Sequence, residues 1–140
     1  LYGCEKLNSE ILLTQFINST KIRIARFDNI FGEGNKWVGR GENVLASLIR
    51  KAICSVNKQS YYEIELKDSE DQCQSFLYIK DCIDAILRLM ESDYSKPLNI
   101  GSGNAVSIRE LAYIAFETIG ITREKVKLVI DENKTVNVQK

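Results

Sequence analysis

The sequence contains no histidine. That removes the commonest transition-metal ligand and the one side chain whose ordinary titration lies near neutral pH, so neither a histidine base nor a zinc site is expected. Cys4, Cys54, Cys73 and Cys82 do not restore the metal option, because no two stand at the short spacing of a zinc knuckle or a redox motif. They read as reduced thiols, mostly buried as small apolar residues, in a cytoplasmic protein. Net charge is absent as well, 19 basic residues balancing 19 acidic ones. A broad basic footprint for nucleic acid is therefore not expected. No apolar run reaches the length that crosses a bilayer, and no signal-like start is visible, so no membrane partner is expected either.

Glycine is present, but in the wrong pattern for a phosphate cradle. Gly32, Gly34, Gly39 and Gly41 crowd one stretch with Asn35, yet their spacing matches neither the P-loop nor the dinucleotide fingerprint. The stretch from about Asp28 to Gly41 reads as a long irregular loop, and loops of that length in compact domains are usually functional.

Apolar residues make up 44% and charged residues 27% of 140 positions, which suits one modest domain or a piece of a larger one. The chain opens without Met, directly on a helical pattern, and is expected to be a cut end. From Tyr2 to about Asn18, Leu7, Ile11, Leu12 and Phe16 fall at helical spacing. Lys21 to Phe27 alternates and is rich in Ile, which predicts a strand. A second helix is expected over Glu42–Cys54, with Val44, Leu45, Leu48, Ile49 and Ile53 on one face. Tyr61–Leu66 alternates as a strand, Lys67–Asp71 is a charged turn, and Ser75–Tyr78 is a short extended piece. Ile79–Met90 reads as a third helix, its apolar positions at Ile79, Ile83, Ile86, Leu87 and Met90. Pro97–Gly101 is a short strand. Ser107 with Glu110 three residues on is a capping box, opening a helix that runs to about Ile119 and stops at Gly120. Val126–Ile130 is a final strand, and the pattern fades after Asp131. Helix leading straight into strand is one α/β step and implies a parallel sheet.

Tyr2 and Lys6 are four residues apart, so on a helix both side chains stand on one face. A phenol ordinarily loses its proton near pH ~10, and an ammonium held beside it stabilises the phenolate, which makes a proton acceptor and donor. The same spacing also arises by chance on ordinary helices.

Motifs farther along set the pair in context. Tyr2-Gly3-Cys4-Glu5-Lys6 is followed by Arg26-Phe27-Asp28-Asn29-Ile30-Phe31-Gly32, then Gln72-Cys73-Gln74-Ser75-Phe76, then Leu98-Asn99-Ile100-Gly101 and Ser107-Ile108-Arg109-Glu110-Leu111. This succession resembles the extended short-chain dehydrogenase/reductase family, the NAD-dependent nucleotide-sugar epimerases and dehydratases. Within it the nearest likeness, supported also by Trp37, Arg50-Lys51-Ala52 and Asp93-Tyr94, is to the GDP-mannose 3,5-epimerase branch.

The resemblance implies an α/β fold: the end of a Rossmann-type parallel sheet plus the smaller mixed α/β substrate-binding domain. Residues 1–33 would be the last helix and strand of the Rossmann half. Residues 34–130 would be the substrate-binding region, with segments returning to the Rossmann half, and 131–140 a tail. It also implies that Tyr2 takes a proton from a sugar hydroxyl, usually at C4, while hydride passes to NAD, with NADP as the alternative dinucleotide. Lys6 would hold the nicotinamide ribose. Phe27 would lie beside the nicotinamide, although a strand-end Phe also packs into cores. Asp28, Asn29, Asn43, Lys51 and Gln74 are the implied contacts to a nucleotide-diphosphate sugar. Asn29 also reads as a turn former, and Arg50 and Lys51 as the solvated face of a helix.

Two positions depart from the family pattern. Asn43 stands where the 3,5-epimerase branch has an acid/base Lys, and Gln74 where many members have a diphosphate-gripping Arg; an amide can do neither job. C4 epimerisation, dehydration and reduction therefore all stay open, as does a non-catalytic relative that binds NAD(P) or a protein partner. Glu33 replaces a common Pro and should loosen its turn. The resemblance further implies a homodimer of the full-length protein. Lacking the dinucleotide fingerprint, these 140 residues alone are expected to be inactive and to leave a sheet edge uncovered.

Overall fold

The computed structural model describes residues 1–36, 39, 43–55, 62–66 and 72–130. Its elements run α1 (Tyr2–Thr14), β1 (Ala25–Phe27), β2 (Asn29–Phe31), α2 (Val44–Ser55), β3 (Tyr62–Leu66), β4 (Cys73–Tyr78), α3 (Ile79–Glu91), β5 (Leu98–Ile100), β6 (Ala105–Ser107), α4 (Ile108–Glu117) and β7 (Val126–Ile130). They form two compact units, Leu1–Ile30 with Phe76–Ser102, and Phe31–Ser75 with Gly103–Lys140.

In the first unit β1 and β5 pair in parallel, Ala25 opposite Leu98 and Phe27 opposite Ile100. Leu77, Cys82, Leu89 and Ile100 form its core, with Ala25, Ile30, Ala85, Ile86 and Leu98 packed around them. Cys82, Ala85, Ile86 and Leu89 recur at i, i+3, i+4 and i+7, so α3 turns a stripe of partly small residues to the core. The larger residues of the expected apolar face go elsewhere. Ile83, Leu87 and Met90 are exposed, as are Leu7, Ile11 and Leu12 of α1 and Phe16 just after it. Helical periodicity placed α3 but not its buried face: of the expected positions Ile86 packs against the core, while Ile83, Leu87 and Met90 do not.

Arg23 closes α3. Its Nε donates to the carbonyl oxygens of Leu89 (3.3 Å) and Ser92 (3.1 Å), and its Nη2 donates to Ser92 as well. A cation at this end satisfies carbonyls that the helix itself leaves open and opposes the negative pole of its dipole.

The second unit holds the parallel pair β3–β7, in register from Tyr62 opposite Val126 to Leu66 opposite Ile130. Helices α2 and α4 pack on each other. The buried residues of α4 are Ile108, Leu111, Ala112, Ala115 and Phe116, a full amphipathic stripe, and α2 buries Leu48 and Ala52. Phe116 is fully buried, its ring 5.7 Å from that of Tyr62. Ser107 caps α4 as the sequence predicts, its Oγ accepting from the Glu110 N–H at 3.1 Å. The Glu110 carboxylate is itself held by Arg123, whose guanidinium also grips Glu117 and lies 5.2 Å from the Tyr113 ring centroid. Gly120, at φ 82°, reverses the chain after α4 in the left-handed region that glycine adopts without strain.

Several boundaries moved. α1 ends at Thr14 rather than Asn18, and the strand over Lys21–Phe27 shrinks to Ala25–Phe27. The loop expected from Asp28 contains β2. The piece at Ser75 begins at Cys73, because Cys73–Ser75 pairs antiparallel with β6, a three-residue strand too short to read from pattern. Of the four thiols only Cys82 is buried; Cys4, Cys54 and Cys73 are exposed, which overturns the expectation of mostly buried cysteines. Trp37, Gly41, Glu42, the Lys67–Asp71 turn and the tail lie outside the described residues.

Phe116→Ala removes the largest fully buried ring of the second unit and should cost about 3–5 kcal/mol, read as a lowered midpoint in urea denaturation.

Candidate active site

Tyr2 opens α1, and Lys6 follows one turn later with its Nζ 5.4 Å from the Tyr2 ring centroid. The expected shared face is therefore real: phenol and ammonium stand side by side, both exposed. α1 fully buries none of its residues, and among Tyr2–Thr14 only Glu10 falls in the half-buried class, the others being exposed. Glu10 lies one turn beyond Lys6. Its carboxylate receives two bonds from the Arg26 guanidinium, Nε to Oε1 at 2.9 Å and Nη2 to Oε2 at 2.6 Å. The Arg26 hydrogen bond holds the Glu10 carboxyl below the usual carboxylate range, and the same bond raises Arg26.

Arg26 leads directly into three of the predicted site residues. Phe27 ends β1 with its ring partly uncovered, 41% exposed. The Asp28 N–H donates to the Ile100 carbonyl at 3.2 Å, which extends the β1–β5 ladder by one rung. The Asp28 side chain lies over Gly101, where an added Cβ would collide with its carboxyl group. Gly101 is needed there because the side chain of its neighbouring strand occupies the space a Cβ would take. Asn29 begins β2 and is exposed.

The other predicted contacts belong to the second unit. Asn43 is a helix cap: its Oδ1 accepts from the Ala46 N–H at 2.8 Å, and its carbonyl accepts from Ser47 at 3.0 Å. Lys51 reaches from α2 to β3, its Nζ donating to the Glu65 carbonyl at 2.6 Å, so it is not simply part of a solvated helix face. Gln74 sits in β4 opposite Val106, half-buried. Sequence reasoning missed a cavity of about 190 Å³ in this unit, lined by Phe31, Gly32, Asn35, Leu45, Ala46 and Ile49. Leu45 and Ile49 carried the signal, but their spacing reads equally well as core.

With this geometry in view, the family profile described as GDP-mannose 4,6 dehydratase matches residues 1–140. The chain belongs to this family. The dehydratase-family assignment sits within the extended short-chain dehydrogenase/reductases, as the motifs imply. GDP-mannose 3,5-epimerase 1 from Oryza sativa subsp. indica is 37% identical over 115 residues, which cover 81% of this chain and 29% of the rice protein. Among solved structures, a UDP-glucose 4-epimerase of Thermotoga maritima with UDP-glucose superposes with TM-score 0.76 at 22% identity, covering 92% of this chain and 40% of that one. A dTDP-glucose 4,6-dehydratase of Bacillus anthracis in complex with NAD gives 0.66 at 15% identity, covering 87% and 37%. These structural likenesses establish the α/β fold with its parallel strands. The dehydratase-family chain thus spans about 29% of the length of its rice relative. Among the described residues no helix is long and apolar enough to cross a membrane.

Two outcomes follow. Gly101→Ala should swing the Asp28 carboxyl off the β5 end at a stability cost of about 1 kcal/mol, read by urea denaturation and by the shift of the Asp28 side-chain NMR signals. Because its folded-state carboxyl is lowered, Glu10 contributes stability that is present above the ordinary value of about 4.3 and lost as pH falls through the folded value. Denaturation of wild type and Arg26→Ala should therefore differ at pH 7, and the difference should shrink as pH falls below the ordinary carboxylate range.

Proposed function

We propose that this chain is part of an NAD-dependent nucleotide-sugar epimerase or dehydratase that works by transient oxidation of the sugar at C4. The observation that carries the reading is the Tyr2–Lys6 pair, 5.4 Å apart on the opening turn of a chain whose whole length matches the family. Residues Leu1–Ile30 and Phe76–Ser102 are read as belonging to the Rossmann half, and the second unit as the substrate-binding region.

The residues suit the dinucleotide. A phenol and an ammonium side by side make a donor set for a ribose diol, and the uncovered Phe27 ring offers an apolar wall. The chemistry such a dinucleotide supplies when bound is reversible hydride transfer with the sugar. NAD is the first choice and NADP the second. Tyr2 takes the proton from the sugar hydroxyl on its Oη and returns it at the end of the cycle. Lys6 orients the ribose and sets positive charge beside the phenol. Asp28 and Asn29 contact the sugar from the strand end. Gln74 replaces a charged clamp with an amide, so it contributes hydrogen bonds rather than charge to diphosphate binding. With its Oδ1 engaged in the cap, Asn43 meets substrate through its NH₂ group, and Lys51 reaches a phosphate only by leaving the Glu65 carbonyl. A protein of this kind is cytoplasmic, an isomerase in its epimerase form, and homodimeric.

In the complete protein carrying this chain, Tyr2→Phe keeps the ring and removes the proton carrier. Turnover of a panel of UDP-, GDP- and dTDP-sugars, followed by NMR, should fall about 10²–10⁴-fold in kcat. Full activity in that variant rules the mechanism out.

A further inference from the structure

We propose that Glu10 and Arg26 form a positioning pair that holds the Tyr2–Lys6 face of α1 in register with the strand end at Phe27–Asp28. The proposal rests on the catalytic reading of Tyr2 given above. Tyr2, Lys6 and Glu10 stand at i, i+4 and i+8, so they form one ridge along α1, with Glu10 about 12 Å from Tyr2 at 1.5 Å per residue.

The contact joins that ridge to a defined point. Arg26 sits opposite Asn99 in the β1–β5 pair, with Leu98 N–H to Ile24 carbonyl at 2.9 Å on one side and Asp28 N–H to Ile100 carbonyl at 3.2 Å on the other. Its backbone is therefore held between rungs of a ladder whose ends, Ile24 and Ile100, are buried. The ridge end of the contact has no such support. α1 has no residue in the buried class, and its apolar side chains Leu7, Ile11, Leu12 and Leu13 are about half exposed. Within this unit the fork between Arg26 and Glu10 is therefore a directional contact that sets α1 against β1.

The geometry is that of a fork on a carboxylate, with two parallel bonds of 2.9 and 2.6 Å that fix orientation as well as distance. The Glu10 side chain is 19% exposed and Arg26 50%, so the pair is sheltered on its helical side. A Lys at position 26 keeps the charge but loses the fork. Reaction geometry is sensitive on this scale, since a misplacement of about 1 Å costs on the order of 10²-fold in rate.

The test uses the complete protein carrying this chain, with Glu10→Gln, Arg26→Lys and the swap Glu10→Arg/Arg26→Glu. Asp84→Asn, which breaks the surface pair of Asp84 with Arg88 on α3 at 2.7 Å, is the control for losing an ordinary ion pair. Glu10→Gln and Arg26→Lys should each lower kcat about 10- to 100-fold with KM within about twofold, and the swap should recover most of that loss. Asp84→Asn should leave kcat unchanged. Hydrogen exchange of the α1 amides should accelerate in Glu10→Gln and slow again in the swap. Unchanged kcat in Glu10→Gln, with wild type active, overturns the positioning role and leaves the functional reading standing. An inactive wild type overturns the functional reading, and the anchoring is then decided by exchange: unchanged α1 protection in Glu10→Gln refutes it.

Discussion

The parallel pairing of β1 with β5 is the constraint on which the candidate site depends. Each strand has three residues, and they meet across more than seventy positions of sequence. Pairs this short are not stable by themselves. Burial secures them: Ile100 goes into the core that Leu77, Cys82 and Leu89 complete, Ala25 and Leu98 pack against it, and Arg23 ties the last turn of α3 to the entry of the same strand. The ladder then delivers Phe27 and Asp28 to one edge and sets Gly101 under the Asp28 carboxyl.

The second unit is held differently. Its parallel pair β3–β7 is longer and carries a cross-strand ion pair, Glu63 with Lys127 at 2.8 Å, directly opposite in the register. Its stability comes from α4, whose five buried residues include Phe116, and from α2. Two family contacts implied by sequence also have structural work here. Asn43 caps α2 and Lys51 ties that helix to β3. An amide at the start of a helix and a cation on its flank serve folding as readily as binding, and sequence alone does not separate the two uses.

The legible parts of the fold were those with local physics. The α4 stripe, its Ser107 cap and its Gly120 stop depend on residues within one turn of each other, and all three are present. β3 and β7 alternate strongly enough to be read with nearly their observed bounds. β2 and β6 were not legible, because three residues hold too little pattern and their existence depends on a partner strand. The exposed stripes of α1 and α3 show the same limit from the other side: periodicity states that a helix has an apolar face, while burial depends on which element reaches it.

The sequence by itself determined the family, through the order of weak motifs, and the Tyr2–Lys6 adjacency, because a helix fixes the geometry of residues four apart. Only the tertiary structure decided what that adjacency is attached to. The grip of Arg26 on Glu10, the seat of Asp28 over Gly101 and the hold of Arg23 on α3 join residues sixteen to seventy-three positions apart. Contacts at such separations are products of chain folding and packing, and no local period encodes them.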